Sequence, residues 1–148
     1  MNDKCKVLIF SNECISNATS NGRTLRNFLV GWPKECLAQF FVKSGSPDFS
    51  VCENYFYVND KDALRSLFGK RNRHIVYEQE GKEVKQTDED FRGSNPKKRN
   101  AVTMYLRDLA WQTNRWMGKD FYHWVESYSP NIVLLQAGDN GFMLKLAR

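Results

Sequence analysis

The chain has 148 residues, 41% of them hydrophobic and 14% aromatic, and a net charge of +5. That is the size of one globular domain, able to bury roughly two-thirds of the surface its unfolded chain exposes. No apolar run approaches the ~18 residues of a membrane-spanning helix, and four cysteines without a C-x-x-C pair speak against a disulfide framework or a zinc site.

Lys6–Ser11 (KVLIFS) is a short apolar run ended by polar residues, the pattern of a buried parallel strand. Met1-Asn2-Asp3-Lys4 before it lacks the layout of a signal peptide, so the expected setting is cytoplasmic with reduced thiols. A polar stretch, Asn12–Gly22, leads to a helix over Thr24–Val30, with Leu25, Phe28 and Leu29 on one face and Gly31 and Pro33 as the stop. Leu37–Val42 and Tyr55–Val58 read as strands, and Asp60 as the cap of a short helix, Ala63–Phe68, with Leu64, Leu67 and Phe68 on one side.

Residues 69–100 are charge-dense and without periodicity, and are expected to form a long loop or partly disordered excursion, with one short strand at His74–Tyr77. Its basic runs, Lys70-Arg71-Asn72-Arg73 and Lys97-Lys98-Arg99, read as solvated loops, and no nucleic-acid-binding motif accompanies them. From Ala101 the pattern is helical, with Val102, Tyr105, Leu106, Leu109 and Trp116 in phase, Asn100 as cap and Gly118 as stop. A helix over Phe121–Ser127, a strand over Asn131–Gln136, a turn at 137–141 and a helix from Phe142 follow. Trp111, Trp116 and Trp124 are expected in the core.

Strands alternating with helices imply an α/β fold, a Rossmann-like three-layer domain with a mostly parallel sheet, spanning residues 1–148 as one unit. A parallel strand ordinarily continues into a full covering helix and a further strand, so the chain reads as the N-terminal portion of a larger protein. Ligands of such sheets bind at the carboxyl ends of the strands. Two loops qualify. The first carries Asn21, Gly22, Arg23 and Thr24, where Gly22 allows a tight turn, the helix N-terminus offers N–H donors to an anion, and Arg23 offers a bidentate grip. The second carries Gln136, Gly138, Asp139 and Asn140; Asp139 serves there either as a base or as a helix cap. No His, Cys or carboxylate cluster has metal-ligand spacing, so no metal is expected.

Lys6-Val7-Leu8-Ile9-Phe10-Ser11-Asn12, Asn21-Gly22-Arg23-Thr24-Leu25 and Trp32-Pro33-Lys34-Glu35-Cys36-Leu37-Ala38-Gln39 together resemble the opening of bacterial glycosyltransferases of the GT-B type, family 4 or group 1. Leu106-Arg107-Asp108-Leu109-Ala110-Trp111, Trp124, Ser129-Pro130-Asn131-Ile132-Val133 and Leu135-Gln136-Ala137-Gly138-Asp139 extend the likeness across most of the chain outside 69–100. The resemblance implies the N-terminal half of a GT-B fold, which supplies acceptor contacts and one wall of an interdomain cleft. A missing C-terminal domain would bind the nucleotide-sugar co-substrate, and this half would bind no cofactor. The implied reaction transfers a sugar to a glycan or lipid-linked acceptor in polysaccharide biosynthesis, with this half inactive alone. Peripheral contact with the inner membrane face accords with the basic charge. The loop at Gly22 would lie against the donor's diphosphate and the transferred sugar. The pattern departs where many relatives carry a His near the last strand; here Gln136 and Asp139 stand there. From the residues alone, a small phosphate- or nucleotide-binding module of flavodoxin-like type is the alternative.

Overall fold

The computed structural model describes residues 5–69, 75–77, 101–136, 138 and 141–146. Five strands, β1 (Val7–Ser11), β2 (Leu37–Phe41), β3 (Asn54–Tyr57), β4 (Ile75–Tyr77) and β5 (Ile132–Leu135), form one sheet in the order β4-β3-β2-β1-β5. Four of them run parallel, with Val7 opposite both Leu37 and Ile132, and β4 closes one edge antiparallel to β3. The helices among the described residues are α1 (Ser20–Leu29), α2 (Asp60–Leu67), α3 (Ala101–Gln112), α4 (Lys119–Tyr128) and α5 (Gly141–Leu146), with a 3-10 turn at Lys34–Cys36. This is the α/β, Rossmann-like arrangement that the strand pattern implies.

Because side chains alternate along a strand, the central strands feed two cores. Val7, Ile9, Leu37, Phe41 and Tyr55 meet Leu25 and Leu29 of α1 on one face. Leu8, Phe10, Ala38, Phe40 and Phe56 meet Ala63, Trp111, Trp116, Phe121, Trp124 and Phe142 on the other. Both faces are therefore covered, which is why these strands read as unbroken apolar runs rather than alternating ones. The second face is aromatic: Phe40 lies with ring centroids 5.6 Å from Phe10, 5.2 Å from Trp116 and 5.7 Å from Phe121.

The link from β2 to β3 contains no helix. Its dozen residues instead lay Phe49, Val51 and Cys52 against the α1-side core, and Asp48 ties them down. Asp48 pairs with Arg26 of α1 at 2.7 Å, and its carbonyl accepts from the Tyr55 hydroxyl at 2.8 Å.

Several helix faces differ from expectation. α1 begins at Ser20, four residues before Thr24, because Thr19 caps it; its inner line is Gly22, Leu25 and Leu29, and Phe28 turns outward at 73% exposure. α2 is capped by Asn59 with Asp62 in a reciprocal capping box, so Asp60 is the first helical residue rather than the cap, and Phe68 lies outside the helix and exposed. On α3 the buried residues are Ala110 and Trp111, while Val102, Tyr105, Leu106 and Leu109 are exposed. The helix is phased by Trp111, whose indole N–H reaches Asp60. It ends near Asn114, which has φ of 56°, rather than at Gly118, and Gly118 instead begins α4. Trp111, Trp116 and Trp124 are buried as expected. Of the 69–100 stretch, Gly69 and β4 lie inside the described residues, and the rest of that expectation, with His74 and Asn100, lies outside them.

Phe40→Ala is expected to destabilise the fold by about 3–5 kcal/mol in urea unfolding, since it empties the centre of the aromatic core. Phe28→Ala on the outer face of α1 should stay within about 0.5 kcal/mol of the parent.

Candidate functional site

Strand order reverses at β1: its chain goes to β2 on one side, while β5 arrives on the other. In such sheets the crevice beyond the carboxyl ends of the two diverging strands is the ligand position. Here it lies between the loop after β1 (12–19) and the end of β5, where Gln136 and Gly138 are described.

The first loop is held from beneath by a buried amide. Gln39 of β2 is 0% exposed. Its Oε1 accepts from the Ile15 backbone N–H at 2.9 Å, and its Nε2 donates to the Ser11 hydroxyl at 2.6 Å and the Glu13 carbonyl at 3.0 Å. Ser11 Oγ also donates to that Glu13 carbonyl at 2.9 Å. Every polar group of the Gln39 side chain is thus engaged, which is what makes a buried amide tolerable. A second clamp comes from the backbone, where the Asn12 carbonyl accepts from Val42 and Lys43 just past β2.

Above this base sits Glu13. Its carboxylate receives a hydrogen bond from the Thr19 hydroxyl and lesser ones from Lys43 and Asn21, the Lys43 ammonium being 3.1 Å away. These contacts outweigh desolvation and hold the carboxyl below its ordinary value of 4.5. Thr19 is the cap of α1 and Asn21 lies in its first turn. A carboxylate from the chain itself therefore stands by the helix N-terminus, the end that attracts negative charge.

The expected site residues are partly brought together here. Asn21 faces Glu13. Gly22 is within the helix, not in a turn: a Cβ there would stand 2.5 Å from the Cys14 carbonyl oxygen and 2.9 Å from Ser16 Oγ, so it is required for close approach of α1 to the loop. Arg23 folds back, donating from Nη2 to the Asn17 carbonyl at 3.0 Å, and Thr24 is exposed with its hydroxyl on the Ser20 carbonyl at 3.1 Å. Gln136 continues the ladder through its N–H to the Phe10 carbonyl at 2.8 Å. Gly138 lies so close to Asn12 that a Cβ would strike its side-chain amide, which joins the second loop to the first. Asp139 and Asn140 lie outside the described residues.

Beside this crevice, on the aromatic face, α3 and α5 enclose a cleft of about 270 Å³ lined by Arg107, Asp108, Trp111, Gln112, Phe142 and Lys145. It belongs to the same edge of the sheet. α5 follows β5, and Arg107 and Trp111 both bond Asp60, at 3.1 and 2.8 Å, at the start of the helix that follows β3. The expectation from sequence passed over Gln39, Glu13, Lys43 and this cleft. One signal was available, a lone Gln inside the apolar run Leu37–Val42. The other three depend on contacts between distant segments. Among the described residues, no group of three His, Cys, Asp or Glu is placed to hold a metal ion.

Gln39→Leu leaves the buried Ile15 N–H without its acceptor; the expected cost is about 1–3 kcal/mol, together with faster amide exchange at Ile15 than at core strand residues. Because the Glu13 pKa is lowered by folding, its contribution is complete above pH 4.5 and disappears as pH falls through the lower folded value. Glu13→Gln should therefore lose less stability than the parent between pH 5 and pH 2 in acid titrations followed by circular dichroism.

No protein-family model, curated protein or solved structure matches the chain.

Proposed function

We propose that the chain is the acceptor-side domain of a sugar-transferring enzyme of the GT-B type, with the crevice between the loops after β1 and β5 as part of the wall facing the reaction centre. The nucleotide-sugar would be held by a second domain, and this one would bind and orient the acceptor, a glycan or lipid-linked sugar. The reading is supported by the ordered resemblance of the segments around Gly22, Trp32 and Gly138, and by the reversal of strand order at β1.

One observation carries this reading over that of a free-standing phosphate-binding module. The α1 N-terminus already has Glu13 beside its cap and first turn, where a module of the second kind would receive its ligand's phosphate. Arg23 gives one guanidinium N–H to the Asn17 carbonyl. A nucleotide phosphate would have to displace a carboxylate in contact with Lys43, Thr19 and Asn21. In this proposal the diphosphate is gripped by the donor-binding domain, and the α1 end supplies a polar wall. The loop after β5 contributes Asp139, its only carboxylate, as the group to accept the acceptor hydroxyl's proton.

Calorimetric titration of the 148-residue chain with UDP, UDP-glucose and FMN tests the reading. The expected result is no saturable binding below about 1 mM, a Kd worth only about 4 kcal/mol, and no sugar transfer by this chain alone. Tight binding of a free nucleotide or flavin would overturn the proposal in favour of the independent binding module, and turnover by these residues alone would overturn the division of labour between two domains.

A further inference from the structure

We infer that the cleft between α3 and α5 is a binding site for a small polyhydroxylated anion, a monosaccharide bearing a phosphate or a carboxylate. Its volume of about 270 Å³ falls just under the roughly 300 Å³ at which pockets for drug-sized ligands begin. That accommodates one sugar ring with one substituent.

The lining has the chemistry for such a ligand. Two cationic side chains, Arg107 and Lys145, border the same space, with Gln112 and Asp108 as the neutral and anionic polar groups. Arg107 is oriented rather than neutralised out of use. Asp60 Oδ1 takes its Nε at 3.1 Å and also accepts the Trp111 indole N–H at 2.8 Å. Among the described residues the terminal nitrogens of this guanidinium have no other acceptor, and they form the fork that suits phosphate and carboxylate. Lys145 forms no ion pair among the described residues. The Asp108 carboxylate and Gln112 amide match sugar hydroxyls, which both donate and accept. Behind them Trp111 and Phe142 stack with centroids 4.3 Å apart and planes 12° from parallel, a buried pair that fixes the back of the cleft.

The counting of charge decides the ligand class. Asp60 and Asp108 balance Arg107 and Lys145, so a bare polyanion finds no net positive field there; a single anionic group on a hydroxylated ring uses both signs. The identification of this anion as an acceptor sugar rests on the acceptor-side reading, whereas the site itself does not.

The test is calorimetric titration of the whole chain with glucose 6-phosphate, glucuronate, glucose and inorganic phosphate, repeated on Lys145→Gln. One or both charged sugars should bind, and which of them binds more tightly identifies phosphate or carboxylate as the anionic group. Glucose and inorganic phosphate should each bind about tenfold more weakly, and Lys145→Gln should weaken the charged sugar by about tenfold, the scale of one charge-assisted contact, while far-UV circular dichroism stays unchanged. A Trp111 indole N–H resonance that moves on titration would locate the event in the cleft. Equal binding of glucose and the charged sugars, equal binding of inorganic phosphate, an unaltered Kd in Lys145→Gln, or no binding by any probe would each overturn the proposal. Nucleotide binding is measured separately, so failure of the acceptor-side reading and failure of this site give different results.

Discussion

The geometry of the sheet's carboxyl edge depends on one buried side chain, the amide of Gln39. A strand interior that is otherwise Leu, Ala and Phe accepts a polar group only if the group is fully bonded, and Gln39 meets that requirement through the Ser11 hydroxyl, the Glu13 carbonyl and the Ile15 N–H. Those partners belong to the end of β1 and the turn after it. The amide therefore ties β2 to the loop, and the loop cannot drift without leaving a donor or acceptor orphaned in the core. Everything above follows from that fixed base: Glu13 is presented to Thr19 and Asn21, α1 starts at Ser20, and Gly22 is obliged to be glycine by its proximity to Cys14 and Ser16.

The sheet supplies the second constraint. Two dry faces built from alternating residues of the same strands leave only the strand ends as places where polar groups gather, and reversal of order at β1 opens one end into a crevice. Tyr128 and Lys6 reinforce the opposite end. The Lys6 ammonium donates to the Tyr128 carbonyl at 2.9 Å, its backbone N–H donates to the Asn131 side chain at 2.9 Å, and the Tyr128 hydroxyl donates to the Val7 carbonyl at 3.3 Å. That amino edge is bonded to itself. The carboxyl edge, by contrast, carries the Glu13–Lys43 pair and, in the cleft beside it, Arg107 and Lys145.

KVLIFS and LAQFFV were legible in the sequence because a strand buried on both faces has no alternation to misread; NIVLLQ reads the same way, although β5 lies at the sheet edge with Ile132 and Val133 exposed. Helix existence was legible for the same reason, but helix phase was not. Phe28, Val102, Tyr105, Leu106 and Leu109 satisfy helical spacing and still face solvent. Spacing defines an arc, and which arc turns inward is settled by partners elsewhere, Gly22 lying against Cys14 for α1 and Trp111 reaching Asp60 for α3. The two polar loops were visible as candidates on one edge of the sheet, and the fold sets Gly138 against Asn12 there. The carboxylate beside the α1 cap was not, since Glu13 reads as one more polar residue of a loop until the fold brings Lys43 to it. Gln39 was the anomaly that could have been followed, because a lone amide in an apolar strand must find partners nearby.

The account turns on the carboxyl edge of the sheet being the surface that meets a sugar ligand. Amide chemical-shift mapping of the whole chain against charged monosaccharides tests that most directly. The expected result is that the largest shifts fall in Asn12–Arg23, around Arg107–Gln112 and in Gln136–Leu146, with Lys34–Leu37 and Asn131 at the amino edge unmoved. Largest shifts at the amino edge, or on the exposed outer face of α1 around Phe28, would contradict it.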